Sequence, residues 1–178
     1  MILAVDLCYK KNSLSYDEFV MPIVKIIGKC TVKHYTELRK NDIELADKIV
    51  LCGTALKDSR YLNNVKRFKW LERINKPVLG ICAGMLVIGV VFGCTINKSE
   101  EIGMTNVKLR TKNKLVSSNI KAYELHSYSL DNLKNFDVLA YSSKCVQVVK
   151  HKKKPFYGIM FHPEVRNEQL IKNFLLLT

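Results

Sequence analysis

The sequence contains no apolar run near the roughly 18 residues that a helix needs to cross a bilayer. Its first six residues, from Met1 to Asp6, carry no basic lead-in and are typical of a first strand rather than of a secretion signal. With 48% apolar and 25% charged residues, the composition is that of a folded globular chain and not of a disordered one. We therefore expect a cytoplasmic protein without membrane contact, and 178 residues suit one domain over 1–178.

Paired metal-binding motifs are also missing. Six cysteines stand singly in apolar stretches, at Cys8, Cys30, Cys52, Cys82, Cys94 and Cys145. Without a CxxC pair, neither a zinc site nor a disulfide framework is predicted, and most of these thiols should be small buried apolar groups. The histidines, His34, His126, His151 and His162, are not paired at ligand spacing either. We expect no metal and no cofactor.

Acidic residues are too few to balance the basic ones, and the formal charge is +13. The basic residues concentrate at 108–121 and 150–154. Such an excess is compatible with nucleic acid or with an acidic partner. However, no aromatic residues interleave with the lysines as a base-stacking surface requires. A solvated surface is therefore favoured, and a nucleic-acid partner is not expected.

Short apolar runs alternate with helical patterns and show no internal repeat. The predicted strands are 2–7, 30–35, 47–52, 78–82, 136–141, 146–149 and 157–161, and the predicted helices are 16–27, 37–45, 61–74, 85–92 and 167–176. Two further segments, 105–115 and 121–126, have the partial alternation of short antiparallel strands. This order predicts an α/β fold with a central, mostly parallel sheet, flanking helices and antiparallel additions.

A cysteine stands where the fourth predicted strand meets a helix, in the segment GICAG around Cys82. Strand–turn–helix is the context of a nucleophile elbow, in which small neighbours relieve crowding around a strained turn. The N–H groups of the following helix favour a thiolate and, later, an oxyanion. A buried structural cysteine is the alternative that this pattern alone leaves open.

A histidine and a carboxylate follow the last predicted strand, as His162-Pro-Glu164. A thiol needs a base to be an efficient nucleophile at neutral pH, and the base needs an acceptor that orients it. In an open α/β sheet the carboxyl ends of the strands form the site, so Cys82, His162 and Glu164 are predicted to meet there as a catalytic triad. Gly53 or Thr54, after the third strand, is expected to complete an oxyanion hole with the N–H of Ala83.

Together, GICAG, the downstream KKKPFYGIMFHPEV and Glu101-Ile-Gly103 resemble the class I glutamine amidotransferases over nearly the whole chain. The layout is most similar to stand-alone glutaminase subunits, particularly that of archaeal-type GMP synthase, and also to those of anthranilate synthase. The resemblance implies a flavodoxin-like fold. It also implies that Cys82 attacks the side-chain amide of glutamine and that water hydrolyses the γ-glutamyl thioester. The ammonia would pass to a synthetase, and since the chain has no GxxxxGK[ST] phosphate loop, that synthetase must be a separate polypeptide.

The sequence departs from the family pattern around the substrate. Leu86 stands where members carry a glutamine that helps to hold the substrate, and Gly53-Thr54 belongs to a loop that is Ser-Gly-Gly-Pro in relatives resembling GMP synthase. His126-Ser127 matches a substrate-binding segment, but Tyr128-Ser129 replaces the Asp-Glu that follows it in those relatives. Two alternatives therefore stay open: an amidase or γ-glutamyl peptidase of the same fold, and a catalytically weak regulatory subunit.

Overall fold

The computed structural model describes residues 1–177, which form a nine-stranded mixed sheet with helices packed against it. The strands are β1 (Ile2–Asp6), β2 (Thr31–His34), β3 (Lys48–Leu51), β4 (Val78–Ile81), β5 (Thr95–Leu109), β6 (Ile120–Asp131), β7 (Phe136–Tyr141), β8 (Val146–His151) and β9 (Phe156–Ile159). Their order is β2-β1-β3-β4-β9-β8-β7-β5-β6, parallel from β2 to β9 and antiparallel from there on. The predicted α/β class with antiparallel additions is confirmed.

Helices cover both faces of the parallel strands. They are α1 (Met21–Ile27, preceded by a π-helical turn at Tyr16–Val20), α2 (Lys40–Leu45), α3 (Arg60–Asn63, followed by a 3-10 helix at Val65–Glu72), α4 (Ala83–Val91) and α5 (Gln169–Leu176). Successive residues of β1 point to opposite faces, so Leu3 and Val5 join one apolar cluster and Ala4 joins the other. Burial on both faces explains why the parallel strands appear in the sequence as continuous apolar runs.

The prediction of two short strands in the middle of the chain, at 105–115 and 121–126, was wrong in extent. β5 and β6 form a long antiparallel pair that runs from Thr95 opposite Asp131 to Val107 opposite Ile120. Residues 110–119 lie outside both strands. Most residues of β5 are polar and about half of them are exposed, so it lacks the apolar face that would have identified it as a strand.

Three predicted helix boundaries were also wrong. The helix predicted at 61–74 is the short α3 followed by a 3-10 helix. The break lies at Asn64, whose backbone (φ −112°, ψ 20°) is outside the α region. Asn63 and Asn64 both have low helix propensity, which explains the break. The helix predicted from residue 37 begins at Lys40, where the Asp42 carboxylate accepts a hydrogen bond from the Arg39 N–H at 2.9 Å. α5 begins at Gln169, not at 167.

Among residues 1–177, no helix has the length and apolar character required to span a membrane.

Candidate active site

Cys82 occupies a strained turn between β4 and α4. Its backbone has φ 49° and ψ −103°, in the positive-φ region that side chains other than glycine seldom adopt. The flanking glycines are required by close packing, because a Cβ at Gly80 would overlap the backbone of Gly84, and one at Gly84 would overlap the carbonyl oxygen of Leu51. This geometry is that of a nucleophile elbow, in which backbone strain serves to present one side chain.

The sulfur of Cys82 lies at the amino end of α4. Because α4 begins at Ala83, the N–H groups of its first turn have no acceptor within the helix, and their dipoles favour an anion at that end. The Cys82 side chain is nearly buried, and its Sγ lies 3.8 Å from the carbonyl oxygen of Leu125 on β6. The N–H of Ala83, predicted as one donor of an oxyanion hole, belongs to this first turn.

His162 follows β9 and meets Glu164 two residues later. The Nδ1–H of His162 donates a hydrogen bond of 2.7 Å to Oε1 of Glu164, and each of the two side chains is only 1% exposed. Within the described part of the chain, Nε2 of His162 has no hydrogen-bond partner. Since Glu164 occupies Nδ1, Nε2 is the nitrogen left to exchange a proton with the sulfur of Cys82.

The electrostatics of His162 favour its charged form. Burial by itself lowers the pKa of this imidazole, but the nearby negative charges of Cys82 and Glu164 and the hydrogen bond to Glu164 outweigh burial. The net result is a pKa of His162 well above the ordinary value for histidine. The imidazole of His162 therefore keeps its proton to a higher pH than a free histidine does.

Gly53 lies against both members of this pair. A Cβ built on Gly53 would come within 2.9 Å of Cε1 of His162 and 3.7 Å of Cβ of Cys82. Any larger residue must therefore push the imidazole ring. Gly53 follows β3 and lies beside Cβ of Cys82, and the sequence predicts Gly53 or Thr54 as an oxyanion donor.

A small pocket of about 20 Å³ lies over Cys82. Its lining includes five of the residues predicted to bind substrate or oxyanion: Thr54, Ala83, Leu86, His126 and Ser127. The Thr54 hydroxyl donates a 2.8 Å hydrogen bond to Asp58, which also lines the pocket, so a carboxylate faces this space. Leu86 is 2% exposed and gives the pocket an apolar wall where a glutamine is usual in the family.

His126 belongs to a buried polar network as well as to the pocket wall. Its Nε2 lies 3.2 Å from Oε2 of Glu124 and 3.5 Å from Oε2 of Glu101. Cys145 also reaches Glu101, with 3.2 Å between Sγ and Oε2. Glu124 and Cys145 were not predicted as site residues, because no local spacing links them. Only the register of β5 against β6, with Glu101 opposite His126, would have indicated the contact.

Comparisons with known proteins identify the family of the chain. The family described as glutamine amidotransferase class-I matches residues 14–176. The chain belongs to the class I glutamine amidotransferase family. A GMP synthase [glutamine-hydrolyzing] subunit from Thermoplasma volcanium is 33% identical over 159 residues, covering 80% of this chain and 79% of that relative.

Two further relatives extend the comparison. A GMP synthase [glutamine-hydrolyzing] of Borrelia garinii is 28% identical over 177 residues, which are 90% of this amidotransferase chain but 33% of the longer relative. The crystal structure of a protein from Thermoplasma acidophilum, described as a subunit of GMP synthase, superposes with a TM-score of 0.83. It has 26% identity and covers 98% of this chain and 91% of that one.

Proposed function

We propose that this chain is a glutaminase subunit that hydrolyses L-glutamine to glutamate and ammonia and delivers the ammonia to a separate synthetase. The observation that carries the proposal is the strained Cys82 turn beside a buried His162, whose other nitrogen is held by Glu164 at 2.7 Å. Membership of the class I glutamine amidotransferase family and the names of the relatives support the choice of substrate.

In the first half of the reaction, the thiolate of Cys82 attacks the carbon of the side-chain amide, and a C–S bond forms. The oxygen of the tetrahedral intermediate becomes an anion, for which the N–H groups at the start of α4 and the backbone of Gly53 or Thr54 are the proposed donors. His162 donates its proton to the amide nitrogen, the C–N bond breaks, and ammonia leaves. The product is a γ-glutamyl thioester on Cys82.

In the second half, His162, now neutral, accepts a proton from water as the water oxygen attacks the thioester carbonyl. The C–S bond breaks, glutamate leaves and the thiolate of Cys82 is restored beside the imidazolium. Glu164 does not exchange a proton in either half. It fixes the tautomer and orientation of His162 and stabilises the imidazolium.

The sequence contains no GxxxxGK[ST] loop with which to activate an ammonia acceptor with ATP, and the proposal assigns that step to a separate synthetase. We propose a synthetase subunit of the GMP synthase type, on the support of relatives that are named as GMP synthase subunits. A purified synthetase subunit of a two-subunit GMP synthase, mixed with this chain, is expected to form GMP with glutamine as nitrogen donor. Failure to form GMP while the chain hydrolyses glutamine would reject this partner and leave the glutaminase proposal intact.

The hydrolysis itself is tested by ammonia and glutamate release from L-glutamine. Cys82→Ala should abolish release, whereas Cys30→Ala, which removes a thiol from the loop before β2, should retain it. Equal turnover by the wild type and Cys82→Ala would overturn the proposal. If neither protein releases ammonia, the same comparison is made with the synthetase and its substrates present. No release by the wild type under those conditions would reject the activity.

A γ-glutamyl peptidase is the second candidate, favoured by the apolar Leu86 wall of the pocket. An apolar residue in place of a polar anchor suits a substrate whose γ-amide carries a further amino acid. Hydrolysis of γ-glutamyl peptides at a higher kcat/KM than glutamine would select this candidate. No hydrolysis of any such peptide by a chain that hydrolyses glutamine would reject it.

A further inference from the structure

A second polar site lies behind the pocket wall, where β5, β6 and the turn between β7 and β8 meet. We call the side chains of Glu101, Glu124, His126 and Cys145 the Glu101 cluster. Glu101, Glu124 and His126 are 4%, 0% and 3% exposed, respectively, and Cys145 is half-buried. One oxygen, Oε2 of Glu101, lies 3.2 Å from Sγ of Cys145 and 3.5 Å from Nε2 of His126.

The cluster lacks a fixed positive charge. In the part of the chain that the structure describes, no lysine or arginine forms an ion pair with Glu101 or Glu124. Both carboxylate oxygens of Glu124 and Nε2 of His126 are buried there without a hydrogen-bond partner. Two buried carboxylates with one neighbouring imidazole are costly unless a cation or protons compensate them.

The tautomer of His126 decides what its free nitrogen can do. Nδ1 lies 3.0 Å from the carbonyl oxygen of Ser99, which can only accept, so Nδ1 carries a proton. In the neutral ring, Nε2 then carries a lone pair, and it lies 3.2 Å from Oε2 of Glu124 and 3.5 Å from Oε2 of Glu101. An imidazole held by Nδ1–H at a carbonyl, with Nε2 facing anionic groups, is the arrangement of a metal-ligating histidine.

We propose that Glu101, His126 and Cys145 bind a Zn²⁺-type cation, with Glu124 next to His126 as a further anionic partner. A tetrahedral zinc ion with bonds of about 2.0–2.3 Å separates its ligand atoms by roughly 3.3–3.6 Å. The separations of 3.2 and 3.5 Å from Oε2 of Glu101 are close to those edges, and the three ligand atoms lie within 4.8 Å of one another. Thiolate with imidazole and carboxylate selects zinc over magnesium or calcium, which prefer oxygen ligands.

The surroundings of the proposed ligands affect how a metal binds. Ser142 Oγ and Gln147 Nε2 donate hydrogen bonds of 2.9 and 2.8 Å to Oε2 of Glu101 and hold that carboxylate in place, so a metal bound at this oxygen has to displace one of them. Cys145 is half-exposed, which gives an ion a route inward. The thiol of Cys145 must release a proton when the metal binds.

The position of the site gives the metal a structural role. It would join β5 and β6 to the β7–β8 turn, directly behind Leu125 and Ser127, which line the pocket over Cys82. The inference does not depend on the proposed glutaminase activity, because its ligands and its readout are separate from Cys82. Binding should therefore raise the melting temperature of the chain, whether or not glutamine is its substrate.

The test uses full-length Cys82→Ala protein, in which the elbow thiol cannot compete for metal. After treatment with a chelator, the protein is titrated with Co²⁺ and then with Zn²⁺. We expect one equivalent of Co²⁺, a thiolate-to-cobalt charge-transfer absorption that Zn²⁺ abolishes, and a higher melting temperature with Zn²⁺. Adding Cys145→Ser should remove all three signals, whereas adding Cys30→Ser, at the other half-buried thiol, should leave them unchanged.

A second variant tests the proposal independently, in case the Cys145→Ser protein does not fold. Glu101→Gln keeps the volume and every thiol but removes a ligand charge, and should weaken Co²⁺ binding at least about tenfold. The proposal is overturned if folded Cys82→Ala protein binds no stoichiometric metal, or if the charge-transfer absorption survives Cys145→Ser. Either result would mean that protons alone compensate the buried carboxylates of the cluster.

Discussion

Replacing Glu164 with glutamine removes the negative charge next to Nδ1 of His162 and keeps the shape of the residue 164 side chain. The hydrogen bond from His162 is 2.7 Å long, and both side chains are 1% exposed, so water cannot replace the lost carboxylate. Hydrogen bonds to charged groups contribute about 1.5–3 kcal/mol, and 1.4 kcal/mol is about a factor of ten. We expect Glu164→Gln to lower kcat/KM for glutamine by roughly ten- to 150-fold.

The loss should lie in kcat rather than in KM, because Glu164 orients the base and is not among the residues that line the pocket. Steady-state glutamate release at saturating and limiting glutamine separates the two constants. Glu168→Gln is the matched control: it makes the same chemical change four residues later, at a half-exposed ion pair with Lys172, and should stay within twofold of the wild type. A Glu164→Gln enzyme within threefold of the wild type, or an equal fall in the control, would refute this account of the base.

Three further outcomes follow from the site. Gly84→Ala should yield an unfolded or strongly destabilised chain by thermal denaturation, because its Cβ would overlap the carbonyl oxygen of Leu51; a melting temperature equal to the wild type would contradict the packing of the elbow. Leu86→Gln should lower KM for glutamine by about tenfold, since one added polar anchor contributes roughly 1–3 kcal/mol; an unchanged KM would show that this wall does not touch the substrate. The pKa of His162 is raised above its ordinary value, so its protonated form persists as the pH rises through about 6.5 and is lost only well above it. An NMR titration of the His162 ring should therefore show no midpoint near 6.5, and a midpoint there would contradict the raised pKa of this histidine.

The site was predictable where its residues carry local signals. Cys82 lies between glycines at a strand–helix junction, and His162 and Glu164 are two residues apart after a strand, so each half of the site is encoded within a few positions. Their meeting follows from the parallel sheet, because β4 and β9 are adjacent and end at the same edge.

The remaining features depend on contacts that no local pattern reports. β5 is long because it pairs with β6 along nearly its whole length, although most of its residues are polar and about half of them are exposed. The Glu101 cluster joins residues up to 44 positions apart, and the burial that makes Glu124 unusual comes from packing of the finished sheet. Cysteine and histidine spacing in the sequence therefore predicted no metal site.

The central claim is that Cys82, alone among the six cysteines, reacts with the side-chain carbonyl position of glutamine. A glutamine analogue that carries a diazoketone in place of the amide should alkylate the protein once, and peptide mass mapping should place the label on Cys82. Excess L-glutamine should slow the labelling, and Cys82→Ala should abolish it. A label on any other cysteine, or none on folded protein with or without its synthetase, would contradict the account.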